Sequence, residues 1–291
     1  KTYDAETGEV HIRNNKKYIR IKESKTDPES GYYHKGEHEK TFAYSVSSFC
    51  DKNGYILAAF VDAGNKHDSV TFFDLYQSLR KTPFINEIQT VCLDAGYLTP
   101  AIVRKLIIEQ KTPLLPYVRP KTKDGYFKKY EYVYDEKYDC YICPNNEILE
   151  YTTTNKLGYK EYKEKCKNCP YLSKCTSNKK YEKTIFRHVW EEYLEQAHDI
   201  RHTLGMKEIY NQRKQTIERC FADGKEKHGL RFTRYTGKER VRDSILLTFA
   251  CMNLKKMARR MTINSSDFFQ FYFFLTFLDF LSSLFYLKSQ N

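Results

Sequence analysis

Strict alternation of apolar and polar side chains sets in at Thr41. There TFAYSVSSFC predicts a strand, DKNG a turn and YILAAFVDAG a second strand, together a hairpin. After AGNKHD, the spacing of SVTFFDLYQSLRK predicts a helix with Asp68 or Ser69 as its cap. The mostly apolar IQTVCLDAG predicts a strand buried on both faces. TPAIVRKLIIEQ then predicts a helix capped by Thr99 with Pro100 in its first turn, and TPLLPYV a short strand. Hairpin, helix, strand, helix and strand make an α/β layer architecture: a mixed sheet flanked by helices.

That regularity lapses between about Pro120 and Arg187, where Lys, Tyr and Cys dominate, so a loop-rich insertion is expected. Helical spacing returns from about Trp190, runs through Glu218 and reappears in SILLTFACMNLKKMARR. The first forty residues lack sustained periodicity; KKYIRI is a candidate edge strand and TDPESGYYHKGEHEK reads as turn and loop. The chain thus divides into an upstream linker (1–40), a first core segment (41–119), a Cys-rich insertion (120–195), a helical second core segment (196–260) and an aromatic tail (261–291). The tail, DFFQFYFFLTFLDFLSSLFYL, is nearly long enough to cross a bilayer, but Gln270, Asp279 and two serines interrupt it. A docked terminal helix is the favoured expectation, with an aberrant tail or a membrane span as alternatives.

Composition narrows the partners. A formal charge of +12 and a pI near 9.1 over 291 residues favour a polyanion, without separating nucleic acid from an anionic membrane. Twenty-five tyrosines could stack on bases, but packing is the simpler use. The sequence opens on Lys1 with no signal-like segment, so it reads as a fragment of something longer. Nine cysteines without a secretory signal argue for thiols or a metal site over a disulfide framework.

Two carboxylates stand out. Glu218 sits in YNQRKQTIERCFADGK among cations, with Lys214 and Lys225 at spacings that share a helical face. A salt-bridged surface helix would show the same pattern. Asp94 closes the apolar run TVCLDAGY, where a carboxylate is costly unless it meets a cation or water. Together they could share a divalent magnesium or manganese ion, with Arg213, Lys214, Arg219 and Lys225 as phosphate contacts. In AGNKHD, Asn65, His67 and Asp68 form a third candidate group, whose His and Asp could touch DNA or metal beside a metal site, although turn former and helix cap is the preferred reading; His228 is read as a solvent or phosphate-side residue.

These segments resemble bacterial insertion-sequence transposases of the DDE type, which have a ribonuclease H-like core. The resemblance rests on KTFAYSVSSFCDKNGYILAAFVDAGNKHDS, TVCLDAGY, Tyr210 to Lys225 and FACMNLKKMA, in that order. It implies metal-dependent cleavage and strand transfer of double-stranded DNA by a homodimer on paired element ends, in the cytoplasm at the nucleoid. Asp94 and Glu218 would be the second and third catalytic carboxylates, and Tyr210, Arg213 and Lys225 DNA contacts. The gap between Arg213 and Glu218 is one residue longer than the family's, so Lys214 is an alternative to Arg213. The family's first aspartate has no counterpart strand; Asp4, Asp27 and Asp62 are the nearby candidates, and the expectation is that it lies upstream of Lys1, leaving this fragment inactive alone. The second candidate site is Cys140-x2-Cys143 with Cys166-x2-Cys169-x5-Cys175, at structural-zinc spacing. Cys143, Cys166, Cys169 and Cys175 are the preferred ligands because Cys143-Pro144 and Cys169-Pro170 resemble knuckle turns, with Cys140 the alternative. Unliganded reduced thiols remain the plain reading. The alternative function is a non-catalytic, zinc-containing DNA-binding or regulatory module.

Overall fold

The computed structural model describes residues 2–3, 10–11, 22–35, 39–119 and 121–261. Asp4, the KKYIRI segment and the aromatic tail beyond Met261 lie outside the described residues. Two short strands, β1 (Thr2–Tyr3) and β2 (Val10–His11), pair antiparallel.

The expected hairpin is β4 (Glu39–Cys50) with β5 (Ile56–Ala63), Val46 facing Val61 across the pair. A further strand, β3 (Gly31–Lys35), lines the outer edge of β4, inside the segment expected to be loop. Its pairing has a visible cause: Tyr32 sits directly opposite Phe42, their rings 5.3 Å apart and edge to face. Gly31 is needed there, because a Cβ would collide with Asn65 and the Gly64 backbone. That close approach is the structural use of Asn65.

Helix α1 (Asp68–Arg80) buries Phe72, Leu75, Tyr76 and Leu79 over the hairpin. Its cap is His67, whose Nδ1 accepts from Ser69 N at 3.2 Å, and not Asp68 or Ser69 as the sequence suggested. Next come β6 (Thr90–Cys92), α2 (Pro100–Ile108) and β7 (Thr112–Leu114), with β6 and β7 parallel as a helical crossover requires. Thr99 caps α2 and Pro100 opens it, as expected. β3–β4–β5 and β6–β7 are separate ladders over one core, in which Phe72, Tyr76, Val91, Leu93, Ile102 and Leu106 meet Phe49 and Leu57. The protein is an α/β structure of sheets and helices, consistent with a ribonuclease H-like core.

Residues 133–188 are more ordered than their composition implied. β8 (Val133–Asp135), β9 (Cys140–Ile142), β10 (Ile148–Thr154), β11 (Tyr159–Lys165) and β12 (Glu182–His188) form a five-stranded antiparallel sheet in sequential order, with α3 (Leu172–Cys175) before the last strand. Tyrosine supplies its core: Tyr132, Tyr141 and Tyr162 pack with Leu149, Cys175 and Ile185. A buried phenol needs a partner for its hydroxyl. Tyr162 and Tyr134 both donate to Asp139, at 2.6 and 2.7 Å, and Lys160 joins at 3.0 Å. Burial raises the Asp139 carboxyl, but these bonds outweigh it and hold the pKa at about 2.

The chain then returns through α4 (Glu191–His202), α5 (Met206–Asn211), α6 (Ile217–Lys227) and α7 (Lys238–Met261). Arg187 fastens the five-stranded sheet to α4, forking onto both Glu195 oxygens at 2.5 and 2.9 Å beneath the Tyr134 ring. α7 lays Val241, Ile245 and Phe249 on Val61 of β5. Asn253 finishes that contact like an extra strand residue, accepting from Ile56 N at 2.9 Å and donating to Ile56 O at 2.8 Å. Asn253→Ala strands both backbone groups and is expected to cost about 1–3 kcal/mol. Chemical denaturation measures it; an unchanged midpoint would mean that water replaces both bonds.

Candidate active site

Asp94 directly follows Leu93, whose buried side chain and backbone bond to Leu114 anchor the end of β6. Its carboxylate turns back to cap the next 3-10 turn, accepting from Ala95 N at 2.5 Å. The side chain is 63% exposed, so the strand end delivers an acid to open solvent.

Arg213 reaches it from the other half of the core. The residue lies in the 3-10 turn Gln212–Lys214 between α5 and α6, with its Nη2 3.8 Å from Asp94 Oδ2. Nη1 donates to Tyr210 OH at 2.7 Å, and the guanidinium sits 5.2 Å from that ring's centre. Only 16% of the Arg213 side chain is exposed, which fixes its aim. The one-residue insertion after Arg213 thus leaves that arginine, not Lys214, facing the strand-end acid. Burial raises the Tyr210 hydroxyl, with the Arg213 charge and hydrogen bond opposing it.

Asp68 shares this edge. Burial raises the Tyr97 hydroxyl, with the charges of Asp68 and Asp94 pushing the same way and Arg213 opposing, while a Cβ on Gly96 would lie 3.4 Å from Asp68 Oδ2. Sequence reading preferred a helix cap for Asp68 over a metal or DNA contact, and the structure sets it beside the Gly96–Tyr97 turn that follows Asp94. The only hint was its position shortly after the end of β5, as Asp94 follows the end of β6.

Glu218 stands exposed in the first turn of α6. α6 begins at Ile217, so Lys214 belongs to the preceding turn and the three-residue face Lys214, Glu218, Lys225 is not a single helix surface. Lys225 is exposed on α6, whereas Arg219 is engaged with Asp223, 3.4 Å away. His228 follows the helix as its C-cap. Two candidates for a first catalytic aspartate are spent on structure. Asp27 accepts from Tyr44 OH through both oxygens and from Gly237 N at 3.2 Å. Asp62, 5% exposed, binds Lys66 at 2.8 Å and Lys238 at 3.1 Å; burial raises its carboxyl, and these bonds hold it below its usual value. Among the described residues no three His, Cys, Asp or Glu side chains converge closely enough to hold a metal ion.

The cysteines separate as well. Cys143, Cys166, Cys169 and Cys175 line one small cavity in the five-stranded unit, beside Phe127 and Tyr171. Cys143 Sγ accepts from Asn145 N at 3.3 Å and Glu147 N at 3.4 Å, the donors a thiolate at a knuckle turn would use. Burial, with the nearby Cys175, Cys169 and Cys143, pushes the Cys166 thiol up to about 11. Cys140 is buried on β9 and does not line that cavity.

Residues 142–258, under half of the chain, match the family model of the transposase DDE domain. The match bears out the resemblance to DDE transposases and spans Tyr210, Arg213, Glu218 and six of the nine cysteines, the four that line the cavity among them; Asp94 lies outside it. Neither the curated proteins nor the solved structures yield a match. Transposases act on DNA, which supports DNA as the partner of this basic chain. No helix among the described residues is long and apolar enough to cross a membrane.

Proposed function

We propose that the chain carries out the phosphodiester chemistry of a transposase: metal-dependent hydrolysis at element ends, then attack of the freed 3′ hydroxyl on target DNA. The observation that carries this reading is Arg213 joining Tyr210 and Asp94, which sets the YNQRK segment against the strand-end acid. Asp94 and Glu218 are exposed hard-oxygen donors suited to magnesium or manganese, and DNA phosphate oxygens would complete the coordination. When bound, such ions polarise the scissile phosphate and favour a deprotonated attacking oxygen.

The protein's own groups have distinct tasks. Arg213, held by Tyr210, offsets the Asp94 charge and presents its guanidinium where a phosphate would lie. Lys225 and Lys214 add positive charge on the exposed side of α6 and the turn before it. A third carboxylate, and pairing of two copies on two DNA ends, belong to the same proposal. Zinc would have to draw Cys143, Cys166, Cys169 and Cys175 closer together than the cavity wall places them; held so, it would fix the Tyr-cored sheet, with Cys140 outside the set.

For the chain as it stands, we expect DNA binding whose affinity falls steeply with salt. Each phosphate neutralised contributes close to one unit of slope in log K against log salt. Gel-shift titration between low and physiological salt measures this, and a flat response would remove phosphate-dominated binding. The non-catalytic zinc module has one observation in its favour, a five-stranded unit with a core of its own. Zinc in the purified protein, tight DNA binding and no magnesium effect in any longer form of the chain would decide for it.

A further inference from the structure

Helix α7 carries two apolar stripes, and its packing on β5 uses one. Val241, Ile245 and Phe249 meet Val61 there, with Met252 beside them. On the opposite side Leu247, Ala250, Cys251 and Leu254 recur at i, i+3, i+4 and i+7, a second continuous face. Leu247 is 67% and Leu246 42% exposed, Ala250 and Cys251 are exposed as well, and Leu254 is half-buried. The sequence runs from the end of α7 at Met261 into the aromatic segment 267–287. The polar residues that interrupt this segment are not scattered. At helical spacing Tyr272, Thr276, Asp279, Ser283 and Tyr286 fall on one side, and Phe274, Phe277, Leu278, Leu281, Leu284 and Phe285 on the other; Gln270, near the start, is the exception. That is the pattern of a helix lying on an apolar surface, whereas a bilayer span is apolar all round. Between the two stretches stand Asn264, Ser265 and Ser266, residue types that end one helix and cap the next.

We propose that residues 267–287 fold back as an antiparallel helix on the outer stripe of α7, making an αα-hairpin. A short connection of this kind brings Phe274 opposite Leu254, Leu278 opposite the small Ala250, and Leu281 opposite Leu247. The lengths agree. From Leu247 to Met261 the stripe runs about 21 Å at 1.5 Å per residue, and a helix over 267–287 reaches about 31 Å, enough to cover it in full. A second copy of the chain competes poorly for the same face, because the segment is tethered a few residues from it and acts at a high effective concentration. The aromatic face and the α7 stripe would thereby bury each other. This inference stands whether or not the chain has the activity proposed above.

Alkylation of Cys251 in the full chain, read by peptide mapping, tests it, because that thiol lies within the stripe. In the native protein Cys251 should react slowly. The full chain carrying Phe277→Asp and Leu281→Asp should react roughly tenfold faster or more, since a covered thiol reacts only through local opening. Leu247→Asp should do the same from the other side of the contact, at an exposed position that leaves the core on β5 intact. Equal rates in all three proteins overturn the proposal. Protection that fades on dilution also overturns it, by putting a second copy on the stripe. So does flotation of the chain with vesicles of phosphatidylcholine and phosphatidylglycerol, which would put the aromatic segment in a lipid surface.

Discussion

Asp94→Ala and Glu218→Ala should each lower magnesium-dependent nicking of element-end DNA by roughly a thousandfold or more, the scale on which groups that act as a unit in catalysis are lost. The readout is single-turnover cleavage. Both side chains are exposed, so neither substitution opens a cavity or buries a charge. Circular dichroism should therefore remain native, which separates a chemical loss from unfolding. Losing Asp94 also removes the cap on Ala95, a local effect of about 1 kcal/mol. Asp94→Asn keeps a capping oxygen while removing the charge, and should be as inactive as the alanine variant. Undiminished nicking in any of these proteins would sink the assignment. Arg213→Lys is informative beside them, because a lysine keeps the charge but not the two-pronged contact to Tyr210 and Asp94. It should retain more activity than Asp94→Ala and lose more than a surface change would.

The two candidate carboxylates could be picked out in the sequence because they sit at element ends that leave local marks. An apolar run stopping at an acid marked Asp94, and a cationic segment around one glutamate marked Glu218. What the sequence did not disclose were contacts between distant segments. Arg213 and Lys214 are adjacent, and only the turn between α5 and α6 decides which of them faces Asp94. Asp68 reads as a helix start, and only the packing of α1 beside the turn after β6 puts it next to Tyr97. The five-stranded unit was missed for a different reason. Its strands are rich in lysine and tyrosine, so a count of apolar residues finds little core. Tyr162 is nevertheless fully buried, because Asp139 satisfies its hydroxyl. The separate ladders of the hairpin and of β6–β7 share side chains rather than backbone bonds, and periodicity cannot register that difference.

Zinc removal should have the second large effect, and it falls on that unit. Its buried set is small: three tyrosines, a leucine, an isoleucine and Cys175, beneath five strands that carry many charges. Structural zinc in comparable small units contributes an apparent ~10–16 kcal/mol at neutral pH, more than the whole stability of many domains. Protein prepared with zinc should hold one ion per chain by elemental analysis, and a strong chelator should change the near-ultraviolet signal of the tyrosine core. Cys169→Ser should reproduce that change. Cys140→Ser and the exposed Cys251→Ser should leave both the zinc content and the signal intact, since neither lines the cavity. The core around Phe72 and Ile102 is built from other residues, so its amides should stay protected while β8–β12 exchange freely. A protein that carries no zinc and ignores the chelator would show that the four cysteines are small packing residues, and that the tyrosine–Asp139 network alone holds the sheet.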